Sequence, residues 1–426
     1  MTISLRPHQI RALAAMDAYD KGQIVVPTGG GKTFIMIQHA IRMIQRNGFD
    51  YDTRRPATKT IVVVAPRILL AQQLCNEFVS LFDKYQLPRI AYLHVHSGKL
   101  TDYESTTNAG RIYDWAVGNW KRNQIIFTTY HSLHKIQESG INPDILYYDE
   151  AHNSTAKSFF PAVNHFTEEA TKNYFFTATP KYSSNLVKKM GMNVPSVYGD
   201  IICNVAAKEL IEVGSIIPPT IIPFDTDLTR GGRNDHEYDV NATLSVLDEI
   251  DDNINAKVVV SIGSSRVLDR MLGRTSMLEE LKERGYDVLH VTSKFGSFVN
   301  DKKVNRTTFM NTLNEWGKDD DRKFIVFHYS ILSEGISVPG LTHCIMLRQL
   351  SIIEMAQTIG RVIRMNSDDK MDIERGIIKA GDLKMYRKQT GFVCTPAQSV
   401  QTVRRLERVV DDIFVKGIPP LPLAYK

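Results

Sequence analysis

A short glycine-rich run at residues 27–33, PTGGGKT, constrains this chain more than any other feature. It follows an apolar, β-branched stretch and precedes a helical pattern, so it is predicted to join a buried strand to a helix. Glycines let backbone N–H groups turn toward an anion, and the helix N-terminus adds a favourable dipole. The run therefore predicts a phosphate-binding loop, in which Lys32 reaches the β- and γ-phosphates and the Thr33 hydroxyl ligates Mg²⁺. The predicted nucleotide-binding residues of the loop are Pro27, Thr28, Gly29, Gly30, Gly31, Lys32 and Thr33.

An acidic pair follows a second strand-like run, residues 145–148. We expect Asp149 to hold Mg²⁺ through water, and Glu150 to orient and deprotonate the water that attacks the nucleotide. Such a pair is also common as a solvated turn or helix cap. Its combination with Lys32 favours a catalytic site that hydrolyses ATP.

Short apolar runs alternate with helical patterns in both halves of the chain, which predicts parallel sheets covered by helices on both faces. The strand-like runs are residues 23–26, 60–65, 124–128, 145–148, 173–176, 257–262, 287–291, 323–327 and 343–347. The helical patterns are residues 34–45, 68–82, 267–284, 304–316 and 353–362.

Two α/β domains are predicted, over residues 1–213 and 241–395. Residues 214–240 hold Pro218, Pro219, Pro223 and a polar run, a composition typical of a linker. Residues 396–426 offer an amphipathic helix, expected to pack on the second domain, and a Pro-rich tail.

Composition narrows the class of protein. The net charge of +5 is compatible with a polyanionic partner but too small for binding by charge alone. No apolar run is long enough to span a membrane, and the N-terminus lacks a signal sequence. The four cysteines lie far apart, so they predict reduced thiols rather than a disulfide frame or zinc site. We therefore expect a cytoplasmic protein (host cytoplasm if viral), neither secreted nor membrane-bound.

Further motifs, in order along nearly the whole chain, resemble the superfamily-2 helicases of the branch with a DEAH acidic motif, here residues 149–152. The likeness is to restriction-enzyme motor subunits and phage branched-DNA helicases. It implies two tandem RecA-like domains, each a parallel sheet with helices on both faces, and ATP and Mg²⁺ in the cleft between them.

The resemblance assigns roles to residues outside the loop and the acidic pair. It implies ATP contacts from Arg6, Gln9 (at the adenine edge) and Gly335, and arginine fingers at Arg361 and Arg364. The residues that would couple hydrolysis to movement are His152, Thr177, Ala178, Thr179 and Gln357. The residues that would contact nucleic acid are Pro66, Arg67, Thr128, Thr129, Ser264 and Arg266.

Four positions depart from the family pattern. Val26 stands where the phosphate loop has glycine, and Ser337 where the fifth motif has aspartate. Thr358 and Ile363 replace an arginine and a glycine of the sixth motif, which keeps both finger positions.

The expected track is nucleic acid, held without sequence preference and in a salt-dependent way. The TATP form at residues 177–180 and the start LRPHQ resemble DNA-directed enzymes and favour DNA over RNA. Three alternatives stay open: a duplex translocase or remodelling motor, an RNA helicase, and a binding scaffold with a vestigial ATPase. Trp115 and Trp120 are expected to pack within their own domain, and a metal at His94 and His96 is disfavoured.

Overall fold

A computed structural model describes residues 5–46, 49–50, 55–87, 89–98, 102–188, 190–224, 231, 234–250, 254–292, 294–329, 338–396 and 400–417. The first half runs in the order α1 (Pro7–Ala18), β1 (Lys21–Val25), α2 (Lys32–Gln45), β2 (Phe49–Asp50), β3 (Arg55–Pro56), β4 (Thr60–Ala65), α3 (Ile68–Lys84), β5 (Ile90–Val95), α4 (Ala109–Gly118), β6 (Asn123–Thr129), α5 (Leu133–Ser139), β7 (Ile145–Tyr148), α6 (Phe160–Glu169), β8 (Lys172–Thr177), α7 (Pro195–Tyr198), β9 (Ile201–Asn204) and α8 (Ala207–Glu212).

The second half continues with another α/β series. Its elements are β10 (Pro219–Phe224), α9 (Asp235–Asp248), β11 (Lys257–Ser261), α10 (Ser265–Gly273), α11 (Met277–Glu283), β12 (Asp287–Thr292), β13 (Gly296–Val299), β14 (Lys302–Val304), α12 (Arg306–Lys318), β15 (Phe324–His328), β16 (His343–Met346), α13 (Ile352–Val362), α14 (Ser367–Glu374), β17 (Gly391–Pro396) and α15 (Val400–Val410).

The first sheet has the strand order β5-β6-β4-β7-β8-β1-β9, and all of its strand pairs are parallel. Its residues are buried on both faces: in β4, Ile61 and Val63 enter one apolar cluster, while Val62 and Val64 enter another. Because β1, β7 and β8 are neighbours, their carboxyl ends lie together at one edge. The segments that follow these strands therefore meet there.

The second sheet has the order β10-β17-β16-β11-β15-β12-β13-β14. Its central strands are parallel, but β13 pairs antiparallel with both β12 and β14. The predicted architecture of two parallel sheets with helices on both faces is thus confirmed, with an antiparallel hairpin added at one edge of the second sheet. The hairpin was not predicted, since its two strands are only four and three residues long.

One predicted helix is wrong as drawn. Residues 267–284 form two helices, α10 and α11, rather than one. Between them Thr275 donates its hydroxyl to the carbonyl of Met271 and accepts from the N–H of Met277, which ends one helix and starts the next. A threonine that satisfies backbone groups locally competes with a continuous helix in this way.

The segment predicted as a linker contains regular structure. Pro219 and Pro223 lie in β10, which pairs with β17 at the edge of the second sheet, and α9 begins at Asp235. The two prolines are four residues apart and therefore face the same side of the strand. An edge strand accepts proline where its missing N–H points away from the only neighbour. Residues 225–230 of the predicted linker lie outside the described part of the chain.

The C-terminal helix joins the two halves. Helix α15 packs against β10 and α13 of the second half, as expected. A turn of π-helix, Asp411–Val415, then carries buried Ile413 and Phe414 against α8 of the first half. The Pro-rich tail lies outside the described residues. In the part of the chain that the structure describes, no helix is long and apolar enough to cross a membrane.

Candidate functional site at the interface of the two sheets

The glycine-rich run forms a tight loop between β1 and α2. Gly29 and Gly31 have φ angles of 87° and 82°, in the left-handed region that glycine adopts without strain, and Gly31 is the N-cap of α2. The Lys32 ammonium lies inside the bend, 3.4 Å from the carbonyl oxygen of Val26. The loop thus has the backbone geometry of an anion cradle at a helix N-terminus.

The first helix supports this loop from behind. A ring nitrogen of buried His8, Nε2, lies 2.9 Å from the carbonyl oxygen of Gly30. Gln9 is also buried, beside Gly31, and its Oε1 accepts from the Arg6 N–H at 3.0 Å. The Arg6 guanidinium donates to the Ser215 hydroxyl, so this element ties the loop to the segment between the sheets. An adenine contact by Gln9 stays a prediction.

The acidic pair follows β7 directly and is almost fully enclosed. Burial, reinforced by the negative charge of Glu150, raises the pKa of Asp149 to about 7, while the charge of Lys32 opposes the rise. Glu150 has a φ angle of 45°, uncommon for a residue with a side chain and typical of strained functional positions. Its Oε1 lies 3.8 Å from the Lys32 ammonium. The strand end therefore holds two carboxylates against one lysine.

His152 connects the acidic pair to two other motifs. Its Nδ1 lies 3.2 Å from the Thr177 hydroxyl at the end of β8, and 3.6 Å from Oε2 of Glu150. Its Nε2 lies 3.4 Å from Nε2 of Gln357, on α13 of the second half. Thr177 in turn accepts from the N–H of Thr179. The predicted coupling residues are therefore in mutual contact across the interface, with Ala178 between the two threonines.

Helix α13 brings the second half to this site. It begins with a capping box between Ser351 and Glu354. Farther along, Gly360 lies so close to Thr28 of the phosphate loop that a Cβ at 360 would stand 2.6 Å from the Thr28 Cβ. Arg361 is 4% exposed, and burial lowers the pKa of Arg364. The two predicted finger arginines are thereby set into the interface.

One cleft between the two halves collects most of the predicted ATP-site residues. Its lining includes Arg6, Thr28, Gly29, Gly31, Lys32, Thr33, Asp149, Glu150, Gln357, Arg361 and Arg364. Pro27, Thr28, Ala178 and Thr179 line a small apolar cavity behind it. Gly335, and Ser337 beside it, lie outside the described residues.

The donor set of this cleft fits a nucleoside triphosphate with a divalent cation. The loop, Lys32 and the two arginines supply groups for phosphate oxygens. Asp149, Glu150 and the Thr33 hydroxyl supply the oxygen ligands, direct or through water, that Mg²⁺ prefers. The Glu150 Oε2 atom is buried with no hydrogen-bond partner among the described residues, which matches a carboxylate arranged to accept from an added group.

Three of the residues predicted to contact nucleic acid line a second cleft. They are Pro66, Arg67 and Thr129. Thr128 does not reach this cleft, because alternate residues of a strand face opposite sides of the sheet. Its side chain is buried, and its hydroxyl donates to the carbonyl of Val95 at 2.8 Å. Ser264 caps α10 by accepting from the Val267 N–H.

Several residues of the two clefts were missed by sequence reasoning. The ATP-site cleft is also lined by Gln73, Glu77, Ser215 and Lys370, and the second cleft by His96, Ser97, His131, Asn153, Phe159 and Arg306. Burial raises the pKa of Glu77, while its hydrogen bond from Gln73 and the charge of Arg364 oppose the rise. None of these positions carries a local pattern, and only the pairing of distant segments identifies them.

Comparison with known proteins supports this picture. Residues 2–182 match the family model described as "Type III restriction enzyme, res subunit". No curated protein matches the sequence.

Solved structures match almost the whole chain. The ATP-dependent Type ISP restriction-modification enzyme LlaBIII, bound to DNA, aligns with 97% of this chain at a TM-score of 0.67 and 15% identity. A nuclease-deletion mutant of LlaGI with a DNA substrate mimic aligns with 96% at 0.62 and 17%. The chain spans 30% and 29% of those two chains. The DEAD-box helicase Mss116, bound to ssRNA and UDP-BeF, aligns with 96% of this chain and 73% of its own, at 0.59 and 16%.

At identities of 15–17%, these structural matches establish the fold alone. The tandem RecA-like architecture predicted from the sequence is confirmed. The predicted resemblance to restriction-enzyme subunits is confirmed over residues 2–182, and the resemblance to superfamily-2 helicases is confirmed as a likeness of fold.

Proposed function

On the premise of a superfamily-2 helicase fold, we propose that this chain is an ATP-driven motor that moves along nucleic acid, with DNA as its track. The observation that carries the proposal is the composition of one cleft. Lys32, Asp149 and Glu150 from the first sheet face Arg361 and Arg364 from the second. Hydrolysis at such a cleft depends on the spacing of two domains, which links chemistry to movement.

The residues of the chain divide the work between them. The loop N–H groups and Lys32 bind the phosphates, and Glu150 orients the attacking water and accepts its proton. Arg361 and Arg364 stabilise the charge that develops on the transferred phosphoryl group. Mg²⁺, held by Thr33 and Asp149, would neutralise phosphate charge. His152 passes the state of the nucleotide to Thr177 on one side and Gln357 on the other.

DNA is proposed over RNA because residues 2–182 match a restriction-enzyme subunit, and LlaBIII and LlaGI were solved with DNA or its mimic. An RNA helicase is the second candidate, since Mss116 was solved with ssRNA. A duplex translocase that never separates strands is the third, because both DNA-bound relatives are restriction-modification enzymes.

The test is the ATPase rate with single-stranded DNA, duplex DNA, branched DNA and RNA in parallel at one stated salt concentration. We expect stimulation by DNA, with Lys32→Ala inactive and Glu150→Gln binding nucleotide without turnover. Lys157→Ala, an exposed lysine of the same half, serves as the control. Turnover by Lys32→Ala at the wild-type rate would refute the proposed ATP site. Stimulation by RNA alone would show that the protein acts on RNA instead of DNA. Strand displacement on a fork, compared with triplex displacement on a duplex, separates a helicase from a duplex translocase.

A further inference from the structure

The segments that lead into β4, β5 and β6 meet at the amino edge of the first sheet, opposite the edge that carries the two clefts. Arg89 precedes β5, and its carbonyl accepts from the N–H of Asn123, the first residue of β6, at 2.9 Å. The hydroxyl of Thr58, before β4, donates to the carbonyl of Trp120, before β6, at 3.2 Å. Segments that are distant in sequence thus form one surface.

This amino-edge surface carries an excess of positive charge. Its exposed residues are Lys84, Arg89, Trp120, Lys121 and Arg122. A further cation, Lys59, is paired with Asp144 at 3.0 Å. In the part of the chain that the structure describes, no carboxylate forms an ion pair with the four exposed cations. Asp83 is the one acid among the described residues 57–59, 83–87, 89 and 119–122. The surface therefore attracts anions.

The backbone holds two of these cations side by side. Arg89 has a φ angle of 57°, which is uncommon for a residue with a side chain, and such positions cluster at functional sites. Ile90 and Asn123 are register partners in adjacent strands, about 4.8 Å apart, so Arg89 and Arg122 begin neighbouring strands. Two guanidinium groups at this spacing offer paired N–H donors to the phosphates of one polyanion.

An exposed stripe leads from this surface along α4. Trp120 was expected to pack within its own domain, but it is 50% exposed, and the ammonium of Lys121 lies 5.0 Å from the centre of its ring. Tyr113 and Val117 precede it at helical spacing and are half-exposed as well. Aromatic rings beside cations are the usual means by which proteins hold a polynucleotide without reading its sequence.

We propose that the amino-edge surface is a second polynucleotide site, which binds the phosphodiester backbone of nucleic acid that extends beyond the second cleft. The assignment rests on the proposed function, because the nucleic acid on which the motor moves supplies the polyanion. An acidic protein segment would match the charge, but it would leave the exposed ring of Trp120 without a base to stack on.

Strand β5 gives the distance between the two sites. His96 follows β5 and lines the second cleft, while Arg89 precedes the same strand. The seven residues from Arg89 to His96 span about 23 Å at about 3.3 Å each. That distance corresponds to about seven nucleotides at about 3.4 Å per nucleotide. A strand must therefore exceed the length held in the cleft by about seven nucleotides to reach Arg89.

Every residue of the amino-edge surface belongs to the first half of the chain. The site is therefore complete whatever the position of the second half, and it holds nucleic acid with or without bound nucleotide. Its loss should weaken binding to long polynucleotides and leave ATP hydrolysis in their absence unchanged.

The test compares the double variant Arg89→Gly with Arg122→Gln and its charge-conserving counterpart, Arg89→Lys with Arg122→Lys. Glycine adopts the φ angle of residue 89 without strain, so the first variant removes charge and keeps the backbone. Arg270→Ala with Arg274→Ala, two exposed arginines of the second half, is the charge-matched control. Affinity for fluorescent single-stranded DNA is measured by anisotropy over a range of salt, with strands that lengthen in steps of about seven nucleotides.

Loss of two phosphate contacts lowers the slope of log K against log salt by about 1.4 on a single strand. We expect this reduction for the Gly/Gln variant only with strands long enough to reach both sites. The Lys/Lys variant and the control keep wild-type slopes at every length, and all variants keep the wild-type melting temperature and ATPase rate without DNA. A second series, in which only the added length is double-stranded, shows whether the surface holds a single strand or a flanking duplex.

Equal slopes for wild type and the Gly/Gln variant at every length, in both series, would overturn this assignment alone and favour an acidic protein as the occupant. An equal reduction on the shortest strands would overturn it too, because those strands do not extend beyond the cleft. If wild type binds no polynucleotide of any length, the proposed function fails and this assignment fails with it.

Discussion

Gly360 of the second half lies directly on Thr28 of the phosphate loop, with space between them for a hydrogen but not for a methyl group. The contact sets the spacing between the loop and α13, the helix that carries Arg361 and is followed by Arg364. If Arg361 and Arg364 act as the proposed arginine fingers, this close contact means that they would reach the nucleotide only when α13 is seated on the loop.

Gly360→Ala should therefore separate the two halves at the site. In a helix interior, alanine is more stable than glycine by about 0.5–1 kcal/mol, so helix propensity by itself would make this substitution stabilise α13. The added methyl group nevertheless forces α13 off Thr28, and we expect a fall in ATPase rate of at least about tenfold, since displacements of about 1 Å carry costs of that order or more. ATPase assays check this, with Gly118→Ala as the control because a Cβ at 118 meets nothing within 4 Å. A Gly360→Ala enzyme with wild-type turnover would show that α13 is free to shift.

Gln357→Ala should uncouple ATP turnover from nucleic acid. The substitution removes one contact of His152 with the second half, while Lys32 and the acidic pair keep their contacts. We expect unchanged ATP affinity and a loss of polynucleotide-stimulated ATPase of about 5- to 100-fold, the usual range of a coupling energy between sites. Gln389→Ala, at an exposed glutamine, is the control. Equal losses with and without polynucleotide would argue for a direct role in hydrolysis instead.

Lys388 should give the protein a pH-dependent stability. Its ammonium group donates to the carbonyls of Leu341, Val362 and Arg364 at 2.6, 2.6 and 2.8 Å, which closes the end of α13. Burial, with the charges of Arg364 and Lys257, lowers its pKa from 10.5 to about 7, against the opposing charge of Asp369.

Between these two pH values the unfolded chain binds more protons than the folded one at this position, so the free energy of unfolding rises with pH. Lys388→Met should abolish that rise and also cost about 1–3 kcal/mol, because three carbonyls lose a donor. Melting temperatures at pH 7 and pH 9 check this, with Lys384→Met, an exposed lysine, as the charge-matched control. A wild-type-like pH dependence in Lys388→Met would assign the effect to other groups.

Phe414→Ala should loosen the C-terminal segment. The ring is 7% exposed and lines the apolar cavity behind the phosphate loop. Truncating a buried phenylalanine costs about 3–5 kcal/mol, and we expect a lower melting temperature together with a higher KM for ATP. The neighbouring Val415 is 61% exposed, so Val415→Ala should change neither quantity. Parallel changes in both variants would mean that the segment does not pack as described.

Local pattern was sufficient for the parts of the fold that are buried on both faces. The bounds of β4 and β7 were predicted as they are observed. Short, continuous apolar runs between turns are typical of strands that are buried on both faces. The motif order likewise predicted most of the residues that now line the ATP-site cleft.

Local pattern failed where a partner strand or a distant segment decides the outcome. Strand β10 contains two prolines and is stabilised by β17, which lies about 170 residues later in the sequence. Thr128 and Thr129 are neighbouring threonines, so the sequence does not distinguish them. Because of the pleat of β6, only Thr129 lines the second cleft. Arg306 gave no signal because every residue it faces there belongs to the other half of the chain.

The C-terminal segment forms a second connection between the two halves of the chain. The chain first crosses from α8 to β10, and it crosses back when the turn at Ile413 and Phe414 returns to α8 and Gly417 reaches Ala206. The halves are thus tethered twice, and both tethers run beside α8. Because both connections lie on one side of the cleft, we expect the halves to open by rotating about that side rather than by moving apart.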